Sequence, residues 1–137
     1  MNLTPEQARA RLVEALRSGK YVQARASLRS ADGERYCCLG VACDLYREHA
    51  LADWTREIAF WHFLGEEHVL PERVRSWLGF KHDGGVLKNP IRVSGPVLAS
   101  LADMNDGGRS FAEIADEIEQ GNVVLEEEDT LKGKEAS

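Results

Sequence analysis

The sequence predicts an α+β fold, in which a small antiparallel sheet packs on a buried central helix, with further short helices and a C-terminal helical pair. Two observations predict this class. Apolar residues recur every three or four positions in several segments, which is the spacing of one face of a helix. Between those segments lie short alternating or aromatic-rich stretches, which are typical of strands. A chain of 137 residues is long enough to bury one core, and we assign that single domain to residues 1–125.

The N-terminal segment has the features of a helix start. Thr4 and Gln7 match a capping box, Pro5 suits the first helical position, and Ser18-Gly19 ends the apolar pattern. The next residues, 21–29, alternate between apolar and polar side chains. We therefore predict a strand there, which turns into a second extended segment, although its alanines would also tolerate a helix.

Residues 38–49 predict the central helix. Their apolar side chains form two adjacent stripes, and a helix with so wide an apolar surface lies deep in a core. The aromatic run at residues 60–63 favours a strand. A short helix is expected to begin at Leu70-Pro71 and to end at Gly79.

The C-terminal part predicts two helices and a tail. One helix is expected to open at Gly95-Pro96, and the other begins at a capping box formed by Ser110 and Glu113. Residues 123–125 are apolar and suit an edge strand or a packed extension. Residues 126–137 are mainly acidic, and we expect them to form a solvated, disordered tail.

Composition predicts a cytoplasmic protein. The formal net charge is −6, and the longest apolar runs fall short of the ~18 residues that a membrane span needs. The N-terminus has neither the basic start nor the apolar segment of a secretory signal. Three cysteines lie within residues 37–43, a spacing that suits a reducing compartment better than a disulfide framework. We expect no membrane association.

The cysteine-rich segment offers one catalytic hypothesis. A cysteine at the start of a helix has its thiolate favoured by the helix dipole. The run from Cys38 to Val41 is similar to the Cys-Ser-Gly-Leu motif of papain-like amidases of the NlpC/P60 kind, with Leu39 in place of the serine. That similarity implies a hydrolase with Cys38 as nucleophile and His62 or His68 as base. The alternative is that Cys38 is a buried core residue, which its apolar neighbours favour.

Two other chemistries are not favoured. The cysteine spacing does not match a structural zinc site, which needs paired ligands in two groups, so we predict no metal and no cofactor. Residues 101–119 resemble the first half of a helix-turn-helix. An acidic run follows them where a DNA-binding protein has a recognition helix, and acidic groups repel phosphates. We expect a helical pair that completes the core, and no binding to duplex DNA.

A basic segment favours an anionic partner. Residues 9–35 carry a net charge of +4 within an acidic chain. Arg25 and Arg29 would lie on one side of the predicted strand, and guanidinium groups bind phosphate or carboxylate through paired hydrogen bonds. With Trp61 as a stacking surface, they would suit a nucleotide-like small anion.

The motif at residues 36–41 (Tyr-Cys-Cys-Leu-Gly-Val), together with Leu70-Pro71, residues 77–79 and residues 110–116, resembles a family of small proteins encoded by bacteriophages and prophages. The resemblance covers most of residues 19–120. It implies a phage accessory protein that acts in the bacterial cytoplasm, and it brings no established activity.

These observations give three functional expectations. The first is a non-enzymatic binding protein that sequesters a small anionic molecule or blocks a bacterial host protein, possibilities that the sequence leaves open. The second is the cysteine hydrolase, and the third is a nucleic-acid-associated regulator.

Overall fold

The computed structural model describes residues 3–92 and 94–126. The helices of this part are α1 (Pro5–Arg17), α2 (Cys38–His49), α3 (Glu72–Leu78), α4 (Leu101–Asp106) and α5 (Phe111–Glu119). The strands are β1 (Val22–Gln23), β2 (Arg35–Tyr36), β3 (Trp54–Arg56), β4 (Trp61–Phe63), β5 (Val86–Ile91) and β6 (Leu98–Ser100). The predicted α+β class is confirmed.

The strands of the described residues form three two-stranded sheets. The pairs β3–β4 and β5–β6 are antiparallel, whereas β1 and β2 are parallel. In β3–β4, Arg56 lies directly opposite Trp61, so both side chains project from the same side of this hairpin.

The capping predictions for α1 and α5 are confirmed. The Thr4 hydroxyl accepts a hydrogen bond from the Gln7 backbone, and the Gln7 side chain accepts one from the Thr4 backbone. Ser110 and Glu113 form the same reciprocal pair at the start of α5. These boxes satisfy backbone N–H groups that the helix leaves without partners, so each helix begins where its sequence predicts.

The prediction of a strand over residues 21–29 is wrong beyond Gln23. The backbone N–H of Ala26 donates to the Asp106 carboxylate at 2.7 Å, and that of Leu28 donates to the Glu67 carbonyl at 2.8 Å. Ala26 also has a φ of 71°, which bends the chain out of an extended conformation. Contacts with distant segments therefore replace the strand ladder that the alternation predicts.

Helix α2 is the buried centre of the fold, as predicted. Its residues from Cys38 to Asp44 are all buried. Gly40 packs directly against the backbone of Leu28, and the Leu28 carbonyl accepts a hydrogen bond from the Cys37 N–H at 3.2 Å. The glycine therefore sets how closely α2 approaches the preceding loop.

The helix expected to open at Gly95-Pro96 begins later. Residues 98–100 instead pair with β5, and α4 starts after Ser100. The Ser100 hydroxyl accepts from the Asp103 N–H at 3.0 Å, while the Asp103 carboxylate accepts from the Ala99 N–H at 2.9 Å. These two hydrogen bonds cap α4 and fix its start directly after Ser100.

The apolar residues after α5 pack on the core, as the sequence predicts. Val123 bridges to Leu87, and Leu125 bridges to Phe80. Glu126, the first residue of the expected tail, is exposed, and its side chain accepts a hydrogen bond from Arg75 at 2.7 Å. The rest of the predicted tail, residues 127–137, lies outside the described residues. Within the described part, no helix combines the length and the apolar character that crossing a membrane requires.

Candidate functional site

The cysteines at the start of α2 are buried thiols. Cys37 is the N-cap residue, and its Sγ accepts a hydrogen bond from the Gly40 N–H at 3.4 Å. Cys38 is 1% exposed, and its thiol donates to the Leu101 carbonyl at 3.6 Å. Burial raises the pKa of Cys38 well above its usual value and that of Cys37 to about 11. Both residues are therefore protonated near neutral pH, which disfavours a nucleophilic role.

The two histidines considered as bases have other partners. His62 Nε2 lies 3.2 Å from a carboxylate oxygen of Glu57, and His68 Nδ1 lies 3.1 Å from the Ala26 carbonyl oxygen. Within the described residues, neither ring forms a hydrogen bond with Cys38. An activated cysteine needs a base within hydrogen-bonding reach, so this geometry does not favour the hydrolase hypothesis.

The structure does bring Arg29 and Trp61 together. The Arg29 guanidinium carbon lies 3.9 Å from the centre of the Trp61 ring, 5.2 Å from that of Tyr36 and 5.4 Å from that of Trp54. Its Nε donates to the Gly33 carbonyl at 3.0 Å. A cation held over aromatic rings is stabilised by their electron-rich faces. We call Arg29, Tyr36, Trp54 and Trp61 the arginine–aromatic cluster.

Backbone pairing explains how the cluster forms. Arg29 bridges to Tyr36 next to β2, while Trp54 and Trp61 belong to β3 and β4. Arg56, opposite Trp61, places its guanidinium carbon 5.2 Å from the same ring centre. Two arginines thus share one tryptophan, and within the described residues neither forms an ion pair with a carboxylate.

The buried carboxylate of Asp44 orients Trp54 of the arginine–aromatic cluster. Asp44 of α2 accepts hydrogen bonds from Trp54 Nε1 at 3.0 Å, from the Tyr21 hydroxyl at 2.7 Å and from Arg47 Nε at 3.1 Å. Burial alone would raise the pKa of Asp44, but these three hydrogen bonds outweigh it and lower the pKa. The ionised carboxylate therefore holds the Trp54 indole in one orientation.

Arg25 lies apart from the cluster contacts. It is exposed, and its Nη2 would lie 3.1 Å from a Cβ placed on Gly108. The positive φ of Ala26 bends the chain between Arg25 and Arg29. The structure thus joins two of the three residues predicted for anion binding, Arg29 and Trp61, and directs the third towards Gly108.

Sequence reasoning missed the exposed apolar residues around the β3–β4 hairpin. Ile58 and Phe60, which we call the hairpin tip, are 98% and 39% exposed, and Leu51 and Leu64 beside the hairpin are also exposed. The sequence analysis predicted a strand for residues 60–63 and did not consider which side chains of this region are exposed. The signal that could have identified the tip is the polar context of Ile58, which follows Arg56-Glu57.

The site has no evident place for a metal ion, and it is not a deep pocket. Among the described residues, no group of three or more His, Cys, Asp or Glu side chains is arranged to hold a metal. A cavity of about 380 Å³ lies between α1 and α5, and no residue of the arginine–aromatic cluster lines it. The arginine–aromatic cluster is partly buried, whereas the hairpin tip is exposed.

Comparison with known proteins identifies the family of the chain. A family described as "Domain of unknown function (DUF8296)" matches residues 5–122. No curated protein and no solved structure matches the chain significantly.

Proposed function

We propose, from the premise that the chain belongs to this domain family, that it is a non-enzymatic binding protein which docks on a bacterial host protein through the β3–β4 hairpin. One observation carries the proposal, namely the exposure of Ile58 and Phe60 at the hairpin tip, while the exposed Leu51 and Leu64 flank the other end of the hairpin. Large apolar side chains grouped on a surface are typical of sites that bind another protein.

The residues beside the tip support the same function. Trp61, Arg29 and Arg56 are of the types that contribute most binding energy in protein interfaces. Stacking on Trp61 holds the guanidinium of Arg29 in place before any partner arrives, which reduces the entropy lost on binding. A small-molecule site, by contrast, is usually concave, and this one is a surface.

The biological setting belongs to the proposal as well. The resemblance of the Tyr-Cys-Cys-Leu-Gly-Val motif to phage and prophage proteins favours an accessory protein that acts on a host factor in the bacterial cytoplasm. Blocking a host factor requires binding only, which agrees with buried thiols and with histidines that are engaged elsewhere.

The test compares two surface variants. The first combines Ile58→Asp with Phe60→Asp, and the matched control is Val97→Asp, which changes another exposed apolar residue. Proteins retained from bacterial lysate by the wild type are identified, purified and titrated against each form. We expect the hairpin variant to lose at least about 100-fold in affinity, because central apolar residues of an interface contribute about 2 kcal/mol or more each.

Two results would contradict the proposal. One is a purified partner that binds the hairpin variant as tightly as it binds Val97→Asp. The other is the absence of any protein retained in a stoichiometric amount. Circular dichroism of all forms checks that the fold is intact, which the high exposure of Ile58 predicts.

A second candidate function is capture of a small anion by Arg29. The supporting observation is that its guanidinium is held by aromatic rings and one backbone carbonyl, with no carboxylate partner among the described residues. Adenosine monophosphate and inorganic phosphate are suitable probes for calorimetry. Arg29→Lys keeps the charge but removes the paired donors, so we expect at least a tenfold loss of affinity. Arg25→Lys is the control, and equal losses in both variants would support the joint role predicted from the sequence.

A further inference from the structure

The cavity between α1 and α5 is separate from the hairpin. Its apolar lining comes from Ala10 and Val13 of α1, from Ile118 of α5, and from Val123 and Leu125 after α5. Its volume of about 380 Å³ falls at the lower end of the range for ligand sites. An apolar ligand of moderate length would replace water on these aliphatic surfaces, which is favourable.

A guanidinium lies at the edge of the same cavity. Arg9 donates one hydrogen bond, from Nη1 to the Leu78 carbonyl at 2.8 Å, and within the described residues it has no carboxylate partner. Its remaining N–H groups are therefore available to an anion. The hydrogen bond to α3 fixes the side chain in place, so an anion would meet a guanidinium that is already positioned.

Two glutamates, Glu6 and Glu119, also line the cavity, and they differ in how strongly they offset the positive charge of Arg9. Glu119 receives two hydrogen bonds from Arg17, at 3.0 and 3.1 Å, and these neutralise it locally. Glu6 also lines the cavity, and its exposed carboxylate lies in the first turn of α1. Glu6 therefore opposes an anionic ligand, whereas Glu119 is already paired.

We propose that this cavity binds an aliphatic chain of medium length that carries an anionic head group, with the chain between α1 and α5 and the head group on Arg9. Carboxylate and phosphate share the required chemistry, because both accept paired hydrogen bonds from a guanidinium. The cavity size favours a chain shorter than those of membrane lipids, since a longer chain would extend into solvent.

The experiment is calorimetric titration of the full chain with hexanoate, octanoate and decanoate, and with octyl phosphate. Each added methylene should tighten binding by about threefold to fourfold until the cavity is filled. Octyl phosphate distinguishes the two head groups, and octyltrimethylammonium is the control of opposite charge. Equal binding of octanoate and the ammonium compound would overturn the proposal, as would no binding of any anionic probe.

Variants locate the site. Arg9→Met should weaken octanoate binding at least tenfold, because a hydrogen-bonded charge pair is lost, whereas Arg11→Met, an exposed arginine of the same helix, should not. Glu6→Gln should strengthen binding. Because Arg9→Met also loses the contact with Leu78, Ala10→Phe serves as a second test, since it fills the cavity from an exposed helical position. If Arg9→Met and Ala10→Phe bind octanoate as the wild type does, the assignment to this cavity is wrong.

Discussion

Gly40 packs so closely against Leu28 that a methyl group on the glycine would overlap the Leu28 carbonyl oxygen. The obstacle is backbone, which cannot rotate away as a side chain can. The same carbonyl accepts the hydrogen bond from the Cys37 N–H, so moving it would also disturb the start of α2. This close contact explains why the Tyr-Cys-Cys-Leu-Gly-Val motif has a glycine at position 40.

The first prediction follows from this contact. Gly40→Ala should lower the free energy of unfolding by about 3 kcal/mol or more, since overpacking against side chains alone costs roughly 1–3 kcal/mol. The control is Gly84→Ala, where the nearest atom would be 4.0 Å from the new Cβ and a change below about 1 kcal/mol is expected. Urea denaturation measures both. Equal stability of the two variants would mean that α2 does not approach Leu28 so closely.

The second prediction concerns Asp44 and the pH dependence of stability. Its folded-state pKa is lowered, so the unfolded chain binds more protons in the acidic range. The carboxylate therefore stabilises the fold above its unfolded-state pKa of ~3.9, and this contribution is lost as the pH falls through the lower, folded-state value. Asp44→Asn should flatten the acid limb of the stability curve, measured by urea unfolding between about pH 2.5 and pH 7. An unaltered limb in Asp44→Asn would contradict the assignment.

The caps were predictable from sequence because each depends on residues three positions apart, as with Thr4 and Gln7 or Ser110 and Glu113. The path of residues 24–28 could not be predicted in this way. It is fixed by hydrogen bonds to the Asp106 carboxylate and to the Glu67 carbonyl, which lie far along the chain. Local alternation carries no information about such partners.

The candidate site shows the same division. Arg29 and Trp61 were predicted to contact the same anionic ligand, and in the structure they contact each other. The continuous strand that was predicted to place Arg25 and Arg29 on one side is wrong, because β1 ends at Gln23. The contact between Arg29 and Trp61 arises from the bridge of Arg29 to Tyr36 and from the position of the β3–β4 hairpin. The exposure of Ile58 was not predicted, because an apolar residue is more often buried, and the polar residues before it, Arg56 and Glu57, are a weak signal.

The third prediction concerns Asn105, which is 1% exposed and joins α4 to two other segments. Its Oδ1 accepts from the Cys38 N–H at 3.1 Å and from Gln23 Nε2 at 2.8 Å, and its Nδ2 donates to the Ala24 carbonyl at 2.6 Å. Asn105→Ala leaves these buried groups without partners, and each such group costs about 1–3 kcal/mol. For the three groups together, we expect the free energy of unfolding measured in urea to fall by about 2–5 kcal/mol. Asn89→Ala, at an exposed position, should change stability by less than about 0.5 kcal/mol. Comparable losses in the two variants would show that the buried amide is not a structural link.

The last prediction separates a core role of the cysteines from a catalytic one. Cys37, Cys38 and Cys43 are all buried, and burial raises the pKa of each thiol. A thiol reagent attacks the thiolate and needs access to the sulfur, so two barriers protect these residues in the folded protein. At pH 8 we expect labelling by a disulfide reagent to proceed only through unfolding, with a rate that rises with urea in parallel with the fraction of unfolded protein. Cys38→Ala should remove one labelled thiol in the unfolded state. The remaining thiols of this variant should still be labelled only through unfolding. Rapid labelling of one thiol per chain without urea, abolished by Cys38→Ala, would instead identify a reactive cysteine and restore the hydrolase hypothesis.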